Sequence, residues 1–370
     1  MQFIDLAAQY NRIKSDVDKA IHRVLDHGKY IMGPEIGELE CELAGIAGVK
    51  YCLGCSSGTD ALLIPLMAWG IGPGDAVFTT PFTFFATAEV IGLVGATPVF
   101  VDIRPDTYNM DPEKLEQAIS RVESEGKLKP KAVIPVDLFG LPADYDVLLP
   151  VAEKHDLLVL EDAAQAFAAD YKGRKTPSFG HIGATSFFPA KPLGCYGDGG
   201  AIFTDDEEIY NTMMSIRVHG QGEDKYNNVR LGINGRLDTI QAAVLLEKLK
   251  IYSDEIDKRQ VVARMYAERL TGVLDKIPTV PEGLVSVWAQ YCVEDDRRSE
   301  IQAALGAAGI PSPIYYAKPM HLLDAFADLG YGAGDFPVSE AASRSTFALP
   351  FHPYLAESDV DMVCDVIKNA

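Results

Sequence analysis

The chain has 370 residues, of which 48% are hydrophobic and 23% are charged, close to the average globular composition. A chain of this length can bury a large core unaided, so collagen-like, disordered and mini-protein classes are excluded. Its 33 basic and 53 acidic residues give a net charge of −20, which disfavours nucleic-acid and anionic-membrane binding. The sequence has no run of 18 apolar residues and no secretory signal pattern, so we expect a cytoplasmic protein.

The first 28 residues predict an extended arm followed by a helix. Its apolar face is predicted to carry Ile13, Val17, Ile21, Val24 and Leu25, which recur at spacings of three and four. From about residue 50 to 205, apolar strands alternate with helical patterns. The predicted strands are 76–80, 97–103, 132–138 and 157–163, and the predicted helices are 84–94, 111–119 and 145–155. This alternation indicates an α/β fold with a mostly parallel sheet covered on both faces.

A different pattern begins near residue 237. It predicts a long helix over 237–270, a strand over 286–293 and a helix over 298–310. We therefore predict a large domain over residues 1–245 and a smaller α+β domain over residues 246–370.

The six cysteines include one CxxC pair, Cys52 and Cys55. A single pair without a second CxxC or a nearby histidine is a weak zinc signal. We interpret the cysteines as packing residues of a reduced protein and predict no metal site.

The segment CSSGTDAL (55–62) places small residues where a short apolar segment gives way to a helix. The backbone N–H groups of Ser57, Gly58 and Thr59 would point at an anion, helped by the helix dipole. No GxxxxGK[ST] motif occurs in the chain. Taken alone, the segment is better explained as an ordinary helix N-cap.

The segment LEDAAQAF (160–167) ends an apolar strand in two carboxylates, and Gln165 follows Asp162 by three residues. A carboxylate at the buried end of a parallel strand is costly unless a cation is bound to it. The segment offers no further metal ligands, so a protonated heterocyclic nitrogen is the better partner. A helix-capping aspartate is the alternative interpretation.

Lys191 lies between Pro189 and Pro192 in an apolar, glycine-rich stretch. The proline that follows it disfavours the α-helical conformation, so an extended or turn segment is predicted. If the amine is buried, its pKa falls and the lysine becomes a nucleophile. A surface lysine in a turn is the alternative.

Asn234 and Arg236 lie in a polar loop before the long helix. The Arg236 guanidinium is a candidate fork for a phosphate or carboxylate. Ordinary polar loop residues are the alternative.

Together, these segments contain a lysine for a Schiff base, an aspartate for a pyridinium nitrogen and a phosphate-binding site. Pyridoxal 5'-phosphate (PLP) enzymes need this set of groups. A nicotinamide oxidoreductase is disfavoured, because the glycine cluster at Gly70, Gly72 and Gly74 lacks the third glycine of GxGxxG and follows a helical pattern.

The motifs GTDAL, EDAAQ, SFFPxKxLGxYGDGGA and NxRLDxxQAA occur in this order, and the chain resembles the DegT/DnrJ/EryC1/StrS family of sugar aminotransferases over nearly its whole length. The resemblance implies the aspartate aminotransferase-like fold (PLP fold type I) with a mostly parallel seven-stranded sheet. The lysine segment is most similar to the branch that aminates C3 of a UDP-linked 2-acetamido-3-oxo-hexuronic acid for O-antigen synthesis.

The resemblance also implies a role for each matching residue. Lys191 would bind the cofactor covalently and transfer the proton, Asp162 would pair with the pyridine nitrogen and Gln165 with the 3-hydroxyl. Phe84 would stack on the ring. The phosphate would be held by Ser57, Gly58, Thr59, Ser186 and, from the other subunit of a homodimer, Asn234. The nucleotide sugar would be bound by Arg236, Tyr315 and Tyr316, and glutamate would be the amino donor.

Two positions depart from the similar branch. That branch usually has His-Tyr at Tyr315–Tyr316 and serine at Gly235, so the exact sugar stays open. Dehydratase-like family members have histidine at the position of Lys191, which favours transamination here. A non-catalytic PLP-binding regulator, or an aminotransferase acting on a C4-keto or dTDP-linked sugar, is the remaining alternative.

Overall fold

The computed structural model describes residues 1–224 and 226–370. The strands are Tyr51–Cys55 (β1), Asp75–Thr79 (β2), Thr97–Phe100 (β3), Lys129–Ile134 (β4), Leu158–Asp162 (β5), Asp170–Tyr171 (β6), Arg174–Lys175 (β7), Ile182–Ser186 (β8), Gly200–Thr204 (β9), Leu284–Val285 (β10), Tyr291–Glu294 (β11) and Thr346–Leu349 (β12). The helices are Leu6–His27 (α1), Pro34–Ala47 (α2), Gly58–Ala68 (α3), Ala86–Leu93 (α4), Pro112–Glu125 (α5), Tyr145–Lys154 (α6), Glu207–Arg217 (α7), Thr239–Leu270 (α8), Arg298–Ala307 (α9), Pro337–Ser345 (α10) and Glu357–Lys368 (α11).

The main sheet has seven strands in the order β1-β9-β8-β5-β4-β2-β3. Only β9 is antiparallel to its neighbours β1 and β8, and the pairs from β8 to β3 are parallel. The prediction of a mostly parallel α/β sheet is therefore confirmed. The strands are almost entirely buried, as expected for a sheet with helices on both faces.

Three predicted strands differ from the observed ones by more than one residue at an end. The one predicted at 97–103 ends at Phe100. The one predicted at 132–138 begins at Lys129 and ends at Ile134, because Pro135 follows and has no N–H for the ladder. The one predicted at 286–293 is replaced by β11, which begins only at Tyr291. Trp288 has a φ of 53°, which is incompatible with an extended strand.

One residue predicted for the buried apolar face of α1 is exposed instead. The buried residues of this helix are Gln9, Ile13, Val17, Ala20 and Val24, whereas Leu25 is 46% exposed. Leu25 follows Val24 directly, and each helical residue turns about 100°. Leu25 therefore lies beside the buried face, which runs through Ala20 and Val24.

Helix α8 runs without a break through the predicted domain boundary at residue 245. Its last turns, with β11, β12, α9 and α11, form an apolar core of their own that contains Tyr266, Tyr291 and Phe347. The division into two domains stays a prediction. Within residues 1–224 and 226–370, no helix is both long and apolar enough to cross a membrane.

Candidate active site

A cavity of about 370 Å³ opens at the carboxyl edge of the main sheet. Most of the residues predicted to form the site contribute to its wall: Ser57, Gly58, Thr59, Phe84, Asp162, Gln165, Ser186, Lys191, Tyr315 and Tyr316. They come from the ends of separate strands and from the segment after α9, so the fold brings together residues up to 259 positions apart in sequence (Ser57 to Tyr316). The volume of this cavity is in the range of small-molecule sites.

The beginning of α3 has backbone N–H groups that could bind an anion. Ser57 is the N-cap, and its side chain accepts a hydrogen bond from Asp60 N at 3.0 Å. The Gly58 and Thr59 N–H groups have no acceptor among the described residues, as is usual in a first helical turn. A Cβ on Gly58 would lie 2.6 Å from the Ser186 Cβ, so only glycine fits. Two free N–H groups and the Ser186 hydroxyl therefore suit a phosphate.

Asp162 ends β5, and only 3% of it is exposed. Its carboxylate accepts hydrogen bonds from Thr87 Oγ1 at 2.8 Å and from Ala164 N at 3.1 Å. Burial raises the pKa of Asp162, while these two donors and the charge of Lys191 oppose the rise. A cation placed in the cavity would favour the charged carboxylate, which is the chemistry expected beside a pyridinium nitrogen.

Lys191 is half-buried on a loop between β8 and β9. Its amine makes no hydrogen bond or ion pair with any described residue. Burial lowers the pKa of Lys191 to about 8, partly offset by the negative charge of Asp162. This lysine is therefore not a solvated surface residue, and its amine is suited to nucleophilic attack.

Gln165 is held in one orientation by two contacts. Its Oε1 accepts from Phe139 N at 2.7 Å, and its Nε2 donates to the Tyr316 hydroxyl at 3.0 Å. The Tyr316 ring contacts Phe82 edge-on. Phe84, by contrast, is 58% exposed within the cavity wall, so its ring face is open to stacking.

Comparison with known proteins adds to this geometry. Residues 11–368 match the sequence profile of the DegT/DnrJ/EryC1/StrS aminotransferase family. The chain belongs to this family. It is 47% identical over 369 residues, covering all of both chains, to UDP-2-acetamido-2-deoxy-3-oxo-D-glucuronate aminotransferase from Pseudomonas aeruginosa.

Two solved structures extend the similarity to the fold. A DegT/DnrJ/EryC1/StrS aminotransferase from Brucella abortus is 53% identical, with a TM-score of 0.98 over 100% of this chain and 99% of the other. NtdA from Bacillus subtilis with bound cofactor PMP, the amine form of PLP, is 29% identical, with a TM-score of 0.88 over 99% of this chain and 83% of the other. The chain is thus a PLP-dependent sugar aminotransferase of fold type I.

The cavity fits this cofactor. The free N–H groups at the start of α3 suit its phosphate, and the unpaired Lys191 amine suits its aldehyde. Burial raises the pKa of Asp162 despite the charge of Lys191, and a protonated ring nitrogen would supply a further cation.

Two predicted residues do not line the cavity, namely Asn234 and Arg236. Their segment runs beside the end of β1, where Ser56 N donates to Gly235 O at 3.1 Å. The Asn234 side chain is exposed. The Arg236 Nε is buried without an acceptor among the described residues. Their predicted contacts with phosphate and sugar stay predictions.

Sequence reasoning missed several residues of the wall: Thr83, Thr87, Phe188, Asp198 and Gln290. Thr87 had a usable signal, because it follows Phe84 by three positions and so shares its side of the chain as α4 begins. Gln290 had none, since it is brought in from the segment before β11. Its Oε1 is buried without a donor in the described chain, so it is free to accept from a bound ligand.

Proposed function

We propose that this protein transfers an amino group to C3 of UDP-2-acetamido-2-deoxy-3-oxo-D-glucuronate, with glutamate as donor. The main support is the 47% identity over the full chain to the Pseudomonas aeruginosa enzyme with that substrate in its name. We place the reaction in the cytoplasm, in the synthesis of O-antigen or another surface polysaccharide.

Four residues of the cavity have a role in the proposed reaction. Bound PLP supplies an electron sink for the carbon that loses or gains a proton. The Lys191 amine would hold the cofactor through its aldehyde and, when free, would move the proton to and from that carbon. Asp162 would keep the ring nitrogen protonated, Gln165 would contact the 3-hydroxyl and Phe84 would pack on the ring.

The proposal includes a homodimer in which Asn234 of each subunit completes the phosphate site of the other. Its support is the position of Asn234 outside its own cavity, together with exposed apolar residues nearby in sequence, such as Leu231 at 90% exposure. Arg236, Tyr315 and Tyr316 are assigned to the nucleotide sugar.

The absorbance spectrum of the purified holoenzyme tests the function. A visible Schiff-base band should bleach on addition of glutamate and return when the UDP-linked 3-keto sugar is added, with the 3-amino sugar as product. Lys191→Ala should lose the band and turnover. Bleaching without recovery by this sugar, but with recovery by a C4-keto or dTDP-linked sugar, would overturn the substrate. A band that resists every amino donor would support a regulatory protein instead.

Subunit complementation tests the shared site. Lys191→Ala and Asn234→Ala are each expected to be nearly inactive as pure dimers. A mixed dimer has one intact site, because the Asn234→Ala chain keeps its lysine and receives Asn234 from the other chain. Recovery of activity on mixing supports the shared site, and no recovery contradicts it.

A further inference from the structure

The loop that carries Lys191 is closed on itself. Cys195 N donates to Phe187 O at 2.8 Å, which ties the two ends of the loop together. Just inside that closure, a Cβ on Gly194 would lie 2.5 Å from the carbonyl oxygen of Pro189. Since these backbones touch, Gly194 cannot move without displacing the segment that presents Lys191.

Two side chains of α8 form hydrogen bonds with the backbone of this loop. Gln241 Oε1 accepts a hydrogen bond from Tyr196 N at 2.8 Å. Lys248 Nζ donates to the Gly194 carbonyl oxygen at 2.5 Å. The two side chains are seven residues apart, which is two helical turns and places them on the same face of α8.

The Lys248 amine is buried, and the carboxylate whose charge acts on it, that of Glu255, forms no ion pair with it. Lys248 is 1% exposed, and among the described residues it makes no ion pair. Its amine lies 4.3 Å from the centre of the Tyr196 ring, and burial lowers the pKa of Lys248 to about 8. Burying an amine without a paired carboxylate is costly, and a hydrocarbon side chain of similar length would fill the space without that cost. The bond to Gly194 explains why an amine is present.

We propose that Gln241 and Lys248 are positioning residues that clamp the loop and so keep the Lys191 amine aimed into the cavity. The proposal rests on the assignment of Lys191 as the cofactor-binding lysine. It also gives a task to Gln241, the glutamine of the NxRLDxxQAA motif, which lies outside the cavity wall. Holding a reacting group in place through supporting hydrogen bonds is a recognised requirement for catalysis.

Hydrogen exchange in the PLP-free protein tests the clamp directly. In Lys248→Met and in Gln241→Met, amides of residues 188–199 should exchange about tenfold faster, the effect of losing one buried hydrogen bond. The same variants should form the Schiff-base band with added PLP about tenfold more slowly. In the loaded enzyme kcat should fall, while KM for the sugar changes little. Gln241→Glu keeps an acceptor for Tyr196 N and should restore slow exchange.

Arg259→Met is the matched control. Arg259 is another buried cation of α8, and it donates to a backbone carbonyl away from the loop, Trp288 O at 2.9 Å. This variant should lose thermal stability yet keep wild-type exchange in residues 188–199.

Wild-type exchange and band formation in both Lys248→Met and Gln241→Met would overturn the clamp. If Lys248→Met does not fold, Gln241→Met decides. Faster exchange together with normal band formation would show that the loop is held but that Lys191 does not depend on it, which also overturns the proposal. Because hydrogen exchange needs no cofactor, a wrong assignment of Lys191 would show separately, as a band that survives in Lys191→Ala.

Discussion

The Gln165 amide donates a hydrogen bond of 3.0 Å to the Tyr316 hydroxyl. This contact joins the end of β5 to a segment more than 150 residues later in the chain. Tyr316 was predicted as a substrate contact, and it does line the cavity. Its hydroxyl, however, also holds the glutamine assigned to the cofactor's 3-hydroxyl. The residues proposed to contact substrate and cofactor are therefore linked through one tyrosine.

Tyr316→Phe should separate these two tasks. The variant keeps the ring against Phe82 but loses a hydrogen bond with a net value of about 1 kcal/mol. We expect kcat to fall by about fivefold and the absorbance maximum of bound PLP to shift, because Gln165 is no longer fixed. Tyr315→Phe is the control, since no hydrogen bond of its hydroxyl to a described residue is lost. An unchanged spectrum in Tyr316→Phe would contradict the link.

Asp162→Asn should reduce turnover without unfolding the protein. The amide keeps one oxygen, which can accept from Ala164 N, and its NH2 group can donate to the Thr87 hydroxyl. It cannot, however, hold a proton on the ring nitrogen. Removing one preorganised electrostatic contact of this kind costs about a hundredfold in kcat. Steady-state kinetics with a saturating keto sugar would measure the loss. A near-normal rate would mean that Asp162 only stabilises the fold.

Attachment of PLP to the apo-protein should accelerate as pH rises, because only the neutral amine attacks. With the pKa of Lys191 lowered to about 8, about one tenth of the amine is neutral at pH 7, against less than about a thousandth for an ordinary lysine. Stopped-flow absorbance from pH 6 to 10 should give a midpoint near 8. A midpoint above 10 would show a solvated lysine.

Asp162→Asn is also the control for that pH profile. The charge of Asp162 raises the pKa of Lys191, in opposition to burial. Removing the charge should therefore move the midpoint to lower pH. A shift in the opposite direction would show that the two groups do not interact as charges.

Gly58→Ala should weaken cofactor binding through the phosphate. The new Cβ would lie 2.6 Å from the Ser186 Cβ, and relieving such overlap typically costs about 1–3 kcal/mol. Equilibrium titration of the apo-protein should show an affinity for PLP reduced by about tenfold or more. Gly45→Ala in α2 has no atom within 4 Å of its new Cβ and should leave the affinity unchanged.

The sequence predicted those parts of the fold and site that depend on neighbours along the chain. Asp162 follows an apolar strand and Ser57 precedes a helix, so both could be placed at the carboxyl edge of a parallel sheet. Leu25 was misplaced because a pattern of threes and fours fits more than one helical face when small residues such as Ala20 can be buried. Gln290 could not be predicted, since only packing of distant segments brings it to the cavity.

Gly200 limits which side of the cavity can accept larger residues during evolution. It begins β9 between β1 and β8, and a Cβ there would lie 2.4 Å from the Ser57 carbonyl oxygen and 2.9 Å from that of Thr185. Together with the Gly58–Ser186 contact, this leaves the phosphate side no room for larger residues. The side formed by Tyr315 and Gln290 has no glycine in the cavity wall. Libraries aimed at new sugar acceptors should therefore vary the second side and leave the first untouched.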